Sequence, residues 1–244
     1  MTIALRFVRF GNKVLNSFVA VLVLAMLAFG GYELWYDWSI AQGAFLDDDI
    51  MQYKPVASED GSNPTLEELM LINEDVIGWI TVDDTNIDYP LVQGATDMEY
   101  VNKDVYGDFS FSGAIFLSCT NSPDLTDIYN LIYGHHMDNG GMFGDLEEFV
   151  DADFFEEHTT GTIYMIDRTI QLEIFACLET DAYDSYVFNT TTSDDNAARI
   201  AYIEENATNF RDIGVETGDQ IVALSTCKDA VTSGRIILFA RMVE

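Results

Sequence analysis

Basic side chains are scarce in this chain, and their placement says more than their number. Of the 11 Lys and Arg, three (Arg6, Arg9 and Lys13) precede the first acidic residue, Glu33, so the chain after position 30 sets 8 basic against 42 acidic residues, a net of −34. Such a polypeptide cannot neutralise phosphates, which excludes nucleic acid as a partner. It repels anionic lipid and polyanions and attracts amines and basic peptides. The ordinary role of most of these charges is solubility in a salty or acidic medium. Cysteine is also sparse: Cys119, Cys177 and Cys227 are an odd number, so at least one thiol is free. No CxxC pair and no His/Cys spacing suited to zinc occurs, so neither a metal nor another cofactor is expected. Internal repeats and low-complexity tracts are absent. With 48% hydrophobic and 13% aromatic residues the chain is not disordered, and its 244 residues hold one ordinary domain plus an appendage.

The appendage is at the start. Residues 18–32 carry no charge and no strong hydrogen-bonding side chain before Tyr32, and residues 14–17 extend the run toward the about 20 residues that cross a bilayer. Basic residues before it and acidic ones after it predict a single-pass anchor with the N-terminus in the cytoplasm and the rest outside the cell. Trp35, Tyr36 and Trp38 stand where an interfacial aromatic belt belongs. Ala28-Phe29-Gly30 offers a small-x-small site for signal-peptide cleavage; the continuing aromatic stretch favours a retained anchor. The expected organisation is therefore a cytoplasmic stub and anchor at 1–38, a linker at 39–64 and a folded domain at 65–244. The linker holds Asp47-Asp48-Asp49 and the breakers Pro55, Gly61 and Pro64, and reads as a solvated tether.

Thr65 and Glu68 have the spacing of a capping box, and Leu66, Leu69, Met70 and Val76 supply an apolar face, so a short helix is predicted from Thr65 to about Asn73. The period then becomes strand-like. Residues 77–82 and 87–92 flank the turn Asp83-Asp84-Thr85-Asn86, and further strands are expected at 113–117, 129–133, 161–166, 170–178, 220–224 and 235–243. Between the later strands, Ser193 is placed to cap a helix in which Ile200, Ile203, Ala207 and Phe210 recur at helical spacing. About eight short strands with helices in the connections predict a mainly β fold, a closed or nearly closed barrel.

Cys227 ends the apolar run Val222-Ala223-Leu224-Ser225-Thr226-Cys227 just before a loop, where a thiol is better placed for reaction than in mid-strand; a structural thiol is the competing reading. Cys177, inside an apolar stretch, reads as a buried hydrophobe. Two of the three histidines are adjacent in Tyr133-Gly134-His135-His136-Met137-Asp138-Asn139-Gly140-Gly141, which leaves a strand for a glycine-rich turn; His158 reads as structural. A thiol needs a base or a cation to act as a nucleophile near neutral pH, and imidazole is the usual provider. Acyl transfer also builds negative charge on a carbonyl oxygen, and Arg235, opening the last strand, can reach it from across a hairpin. Arg241, farther along that strand, is the alternative.

Together Leu224-Ser225-Thr226-Cys227 with Asp229 and Ala230, the strand Arg235-Ile236-Ile237-Leu238-Phe239-Ala240-Arg241, and Leu131-Ile132-Tyr133-Gly134-His135 resemble the sortases of Gram-positive bacteria, specifically class B. Gly78-Trp79-Ile80, the run Asn86-Ile87-Asp88-Tyr89-Pro90-Leu91-Val92-Gln93-Gly94, and Met142-Phe143-Gly144-Asp145-Leu146 add to the resemblance, which spans residues 66–243. It implies an eight-stranded barrel with an N-terminal helix and a helix before the seventh strand. It also implies a thiol-dependent transpeptidase that cleaves the sorting signal of a secreted surface protein after Thr and passes the acyl group to an amine of peptidoglycan precursor (lipid II) or of a pilin lysine. Carried over, the catalytic residues are His135, Cys227 and Arg235, with Ser225, Thr226 and Asp229 as substrate contacts and no metal. Where the class usually has Asn after its histidine this chain has His136, and Ala223 stands where Thr is usual. A cysteine protease that releases the acyl group to water, or a non-catalytic surface binding module, are the competing functions.

Overall fold

The computed structural model describes residues 3–243 apart from 44, 47, 57–61, 191–195 and 229–231. Its contacts divide the chain into two units, Met1–Gln42 and Gly43–Glu244. The first is almost entirely one helix, α1 (Ile3–Gly43). Its stretch Leu5–Ile40 is long and apolar enough to cross a membrane. At about 1.5 Å per residue the helix measures roughly 60 Å, about twice the thickness of a bilayer's hydrocarbon core. It also continues five residues past Trp38, into the segment expected to be linker.

The second unit begins with a four-residue helix, α2 (Asp48–Met51), and α3 (Thr65–Ile72). The capping box expected at Thr65 is not made. Pro64 is the N-cap residue, so Thr65 lies one position inside the helix, and its hydroxyl is buried without a partner among the described residues. Nine strands follow: β1 (Val76–Val82), β2 (Asp88–Val92), β3 (Ile115–Leu117), β4 (Tyr129–Tyr133), β5 (Thr160–Tyr164), β6 (Thr169–Asp181), β7 (Asn209–Phe210), β8 (Ile221–Cys227) and β9 (Gly234–Val243). Their order in the sheet is β5-β1-β2-β3-β4-β8-β9-β6, and β6 pairs again with β5, which closes an eight-stranded barrel; the two-residue β7 hangs on the outer edge of β6. Closure leaves no open edge in the ring.

Two pairings are parallel, β2 with β3 and β4 with β8. The long crossover from β4 to β8 holds a 310 turn (Gly144–Val150), α4 (Ala152–Glu157), α5 (Ser185–Phe188) and α6 (Asn196–Asn206). Helix α6 is the one expected before the seventh barrel strand, β8. Ser193, its expected cap, lies outside the described residues. The helix stops at Asn206, so Ala207 and Phe210 are not on it; Phe210 belongs to β7, whose pairing with Ala176 of β6 takes over from the helical period. Val187, Ile200 and Ile203 of α5 and α6 cover Tyr129, Leu131, Ala223, Ile237 and Phe239, the outward side chains of β4, β8 and β9. Because β8 is buried on both faces, its sequence reads as a continuous apolar run instead of alternating.

Part of the expected tether is packed on the domain. Ile50 is 8% exposed within a cluster that includes Leu66, Leu69, Trp79 and Val92, with Leu46 and Tyr53 beside it. Lys54 pairs with Asp88, whose other carboxylate oxygen accepts from Trp79 Nε1 at 2.7 Å. We therefore expect a truncated chain that begins at Gly43 to be more stable than one that begins at Asn63. Burying the Ile50 side chain alone is worth about 2 kcal/mol, or about 4–8 °C in Tm for a domain of this size. Thermal unfolding of the two chains measures the difference; equal Tm values would mean that residues 43–62 are a tether only.

Candidate active site

Register builds the site. In the parallel pair β4–β8, Tyr133 lies opposite Ser225; in the antiparallel pair β8–β9, Cys227 lies opposite Arg235. Side chains alternate along a strand, so Ser225 and Cys227 share the face of Ala223, with Tyr133 beside them on β4 and Arg235 on β9. Helices α5 and α6 cover that face at Ala223 and leave it open at Cys227. The result is a cleft of about 440 Å³ whose lining includes Tyr133, Gly134, His135, Ser225, Thr226, Cys227 and Arg235. Asp229 lies outside the described residues.

Gly134 sets the path by which the chain leaves β4 and brings His135 to the cleft that Cys227 also lines. The Gly134 N–H donates to Ser225 O at 3.1 Å, and Gly134 O accepts from the Thr226 hydroxyl at 3.0 Å. A Cβ at Gly134 would lie 2.5 Å from Ile115 Cδ1 and 2.6 Å from the Phe143 ring, so only glycine lets the strand end pass here. His135 Nε2 is 2.8 Å from Val101 O. A carbonyl only accepts, so Nε2 is the protonated nitrogen and the neutral ring carries its lone pair on Nδ1. The loop beyond folds back: Phe143 N donates to His135 O at 3.0 Å, His136 bridges to Met142, and Met142 N donates to the Tyr89 hydroxyl at 2.8 Å.

His136 points elsewhere. Its Nε2 lies 3.4 Å from Asp138 and 3.5 Å from Glu147, and it takes no part in lining the cleft. His158 stacks on Phe154 with ring centroids 3.7 Å apart and bonds Phe154 O through Nδ1. Arg241 is at the opposite end of β9 from Arg235, across from Glu173, whose Oε2 accepts from Arg241 Nε at 2.8 Å and from Nη2. Among the described residues Arg235 hydrogen-bonds locally, Nη1 to Gly234 O at 3.0 Å and to Ser233 O at 3.3 Å.

Of the residues expected to touch substrate, Ser225 is 1% exposed, and its Oγ has no hydrogen-bond partner among the described residues. Thr226 projects to the opposite face of β8, where its hydroxyl is held by Gly134. Sequence reasoning did not single out Asp97, Met98, Val101, Phe116, Ala182 or Phe188, which complete the lining from loops, from β3 and from α5. No local motif marks them, because each reaches the cleft through strand order.

The three thiols differ in environment. Cys227 is half-buried at the cleft, Cys119 is exposed and Cys177 is fully buried in β6. Burial pushes the Cys177 thiol up to about 12. Cys119 is also held above the ordinary thiol value, first by local desolvation and then by the adjacent Asp97 carboxylate.

A thiol at a strand end, paired across a hairpin with an arginine and sharing its cleft with a histidine from the loop after the neighbouring strand, has the makeup of a cysteine-dependent acyl-transfer enzyme. The family model for the sortase domain matches residues 80–243. The chain is 30% identical over 186 residues to Sortase B of Staphylococcus aureus, covering 74% of this chain and 75% of that protein. Among solved structures, a Streptococcus pyogenes class B sortase involved in pilus biogenesis is 39% identical, with a TM-score of 0.66, covering 73% of this chain and 97% of that one. Sortase B from Bacillus anthracis superposes with a TM-score of 0.75 at 29% identity, covering 86% of this chain and 99% of that one. The chain belongs to the sortase family, in its class B, and is a cysteine transpeptidase.

Alkylation of the folded protein with iodoacetamide, followed by peptide mapping, should label Cys227 and Cys119 and spare Cys177 until the chain is unfolded. Because the Cys119 thiolate is disfavoured at neutral pH, its labelling should keep rising as the pH passes above the ordinary thiol range. Labelling of Cys177 in the native protein would contradict its place in β6.

Proposed function

We propose that this chain is a membrane-anchored sortase that cleaves a C-terminal sorting signal after Thr and transfers the new C-terminus to an amine, with the catalytic domain outside the cell and the N-terminus inside. The observation that carries this reading is the direct cross-strand pairing of Cys227 with Arg235 at the open end of a cleft that also receives His135. The charge asymmetry around α1 supports the orientation: its three basic residues precede the apolar run and the acidic residues follow it.

In the first step the Cys227 thiolate attacks the Thr carbonyl. A C–S bond forms, and the oxygen of the tetrahedral intermediate takes on negative charge, which Arg235 stabilises from the neighbouring strand. His135 protonates the departing amine as the C–N bond breaks, leaving a thioacyl enzyme. In the second step an incoming amine attacks the thioester, His135 takes its proton, and the C–S bond breaks to return the thiolate. Ser225, whose buried Oγ has no partner among the described residues, lines the cleft as a contact for the substrate backbone, and Asp229, two positions after Cys227 in the sequence, is a further contact. Thr226 acts through Gly134, tying the nucleophile's strand to the histidine's. The acceptor is an amine of peptidoglycan precursor or of a pilin lysine, and a strongly acidic domain favours either cationic nucleophile. Among the relatives, the S. aureus enzyme has been solved in complex with a substrate, and the S. pyogenes enzyme is one involved in pilus biogenesis.

The test is to incubate the protein with a sorting-signal peptide library, with and without amines, and to follow both cleavage and the thioacyl adduct by mass spectrometry. An amide product with the amine supports transpeptidation; release to water alone would make the enzyme a protease. Cys227→Ala should abolish both cleavage and adduct. His135→Ala should abolish turnover, while His136→Ala keeps a substantial fraction; the reverse would place the acid/base role one residue on.

Arg235→Lys keeps the charge and loses the planar fork, so turnover should fall by two to three decades, about 3–4 kcal/mol, with stability nearly unchanged. Arg241→Lys should stay close to wild type in rate, since that side chain serves a surface ion pair worth at most about 1 kcal/mol. Steady-state kinetics with thermal unfolding on each variant separates rate from fold. A dead Arg241→Lys beside an active Arg235→Lys would transfer the stabilising role.

A further inference from the structure

Asp97 is the one carboxylate among the described residues that line the cleft, and Arg235 is the one cation. Asp97 sits in the turn after β2, and its side chain is fixed at the end of β3: Oδ1 accepts from Cys119 N at 2.6 Å and Oδ2 from Ser118 Oγ at 3.3 Å. Both donors are neutral, and no Lys or Arg among the described residues pairs with it. The side chains around it in the cleft are largely apolar, Met98, Val101, Phe116, Tyr133 and Phe188. In surroundings of that kind an uncompensated carboxylate attracts a cation more strongly than it would in bulk water.

Strand order sets where this charge stands. The sheet runs β3-β4-β8-β9, so Asp97 at β3 and Arg235 on β9 occupy opposite margins, with His135 and Cys227 between them. The Tyr133 hydroxyl on β4 senses both: desolvation and then Asp97 raise its pKa, and Arg235 opposes them. Two strand spacings separate β8 from β3, about 10 Å, which is about three residues of extended peptide. A scissile carbonyl held between Cys227 and Arg235 therefore leaves Asp97 within reach of a side chain up to about three residues away.

We propose, on the basis of the transpeptidase reading above, that Asp97 is a specificity residue that selects a peptide carrying an ammonium or guanidinium group near the reacting bond. The group can belong to the sorting signal or to the acceptor, and the chemistry of recognition is the same.

The test uses the full chain in detergent micelles. One arm presents peptides with a fixed Thr and Lys, Arg or a neutral residue at successive flanking positions, with hydroxylamine as the trap. The other holds the peptide constant and compares neutral glycine-amide acceptors with lysine-containing ones. Wild type should prefer the cationic members of one arm by at least about tenfold in kcat/KM, as expected for a hydrogen bond between charged groups. The arm that shows the preference identifies the source. Asp97→Asn should collapse the ratio of cationic to neutral kcat/KM toward unity, and Asp97→Lys should invert it in favour of Glu-containing members. The proposal is overturned by a wild type without preference in either arm, or by an Asp97→Asn enzyme that keeps the wild-type ratio. A wild type that forms no thioacyl adduct with any peptide would overturn the transpeptidase reading and this inference with it, and the missing adduct tells that failure apart from lost selectivity.

Discussion

The parallel pairing of β4 with β8 is the constraint on which the site depends. It sets Tyr133 beside Ser225, and from that register follow the two bonds to Gly134, one from its own N–H to Ser225 O and one from the Thr226 hydroxyl to its carbonyl. A slip of one residue would turn Cys227 and Ser225 to the other face of the strand. Parallel strands also need a long crossover, and the one between β4 and β8 contains the 310 turn, α4, β5, β6, α5 and α6. Much of the chain's length is thus spent in bringing two strand ends together.

The hairpin from β8 to β9 completes the arrangement at lower entropic cost, because its partners are close in sequence. Lys228 N donates to Gly234 O at 2.9 Å just beyond the Cys227–Arg235 pair, so Cys227 and Arg235 are held by the same ladder. Rigid strands suit groups that must meet developing charge without reorganising. The histidine is positioned differently. It stands on a loop, fixed by the Val101 carbonyl on its ring and by Phe143 on its backbone, and the chain before it passes Ile115 and Phe143 at Gly134 with no room for a Cβ.

Charge is arranged on two scales. Over the whole domain acidic residues dominate, while at the cleft a single carboxylate and a single guanidinium stand at opposite margins among the described lining residues. The scarce cations outside the cleft are largely committed to structure. Arg199 lies over the Tyr129 ring at 3.8 Å and bonds the carbonyls of Tyr186 and Asn189, and Arg211 bonds those of Ile174 and Phe155. Arg235, whose hydrogen bonds among the described residues are to neighbouring backbone, is the basic group that lines the cleft.

Local pattern was enough to read most strands, α3 and α6, the apolar helix and the place of Cys227 at a strand end, because strand period and strand ends are written in neighbouring positions. Boundaries failed where tertiary contacts override local signals. Thr65 has the spacing of a cap, yet the chain path makes Pro64 the cap residue; Phe210 keeps a helical period, yet pairs with Ala176 as a strand. Residues around Ile50 look like tether because their apolar partners, Leu69 and Trp79, are far along the chain. Nothing in the sequence separates His135 from His136, or Arg235 from Arg241; the fold does so by turning one of each pair into the cleft and giving the other to surface carboxylates. Asp97 and Val101 carry no motif at all. By itself, then, the sequence determined which elements form and which chemical groups are available, since those depend on adjacent residues. The closure of the barrel and the parallel register of β4 on β8 decided which of those groups meet, since that depends on contacts between residues far apart in the chain.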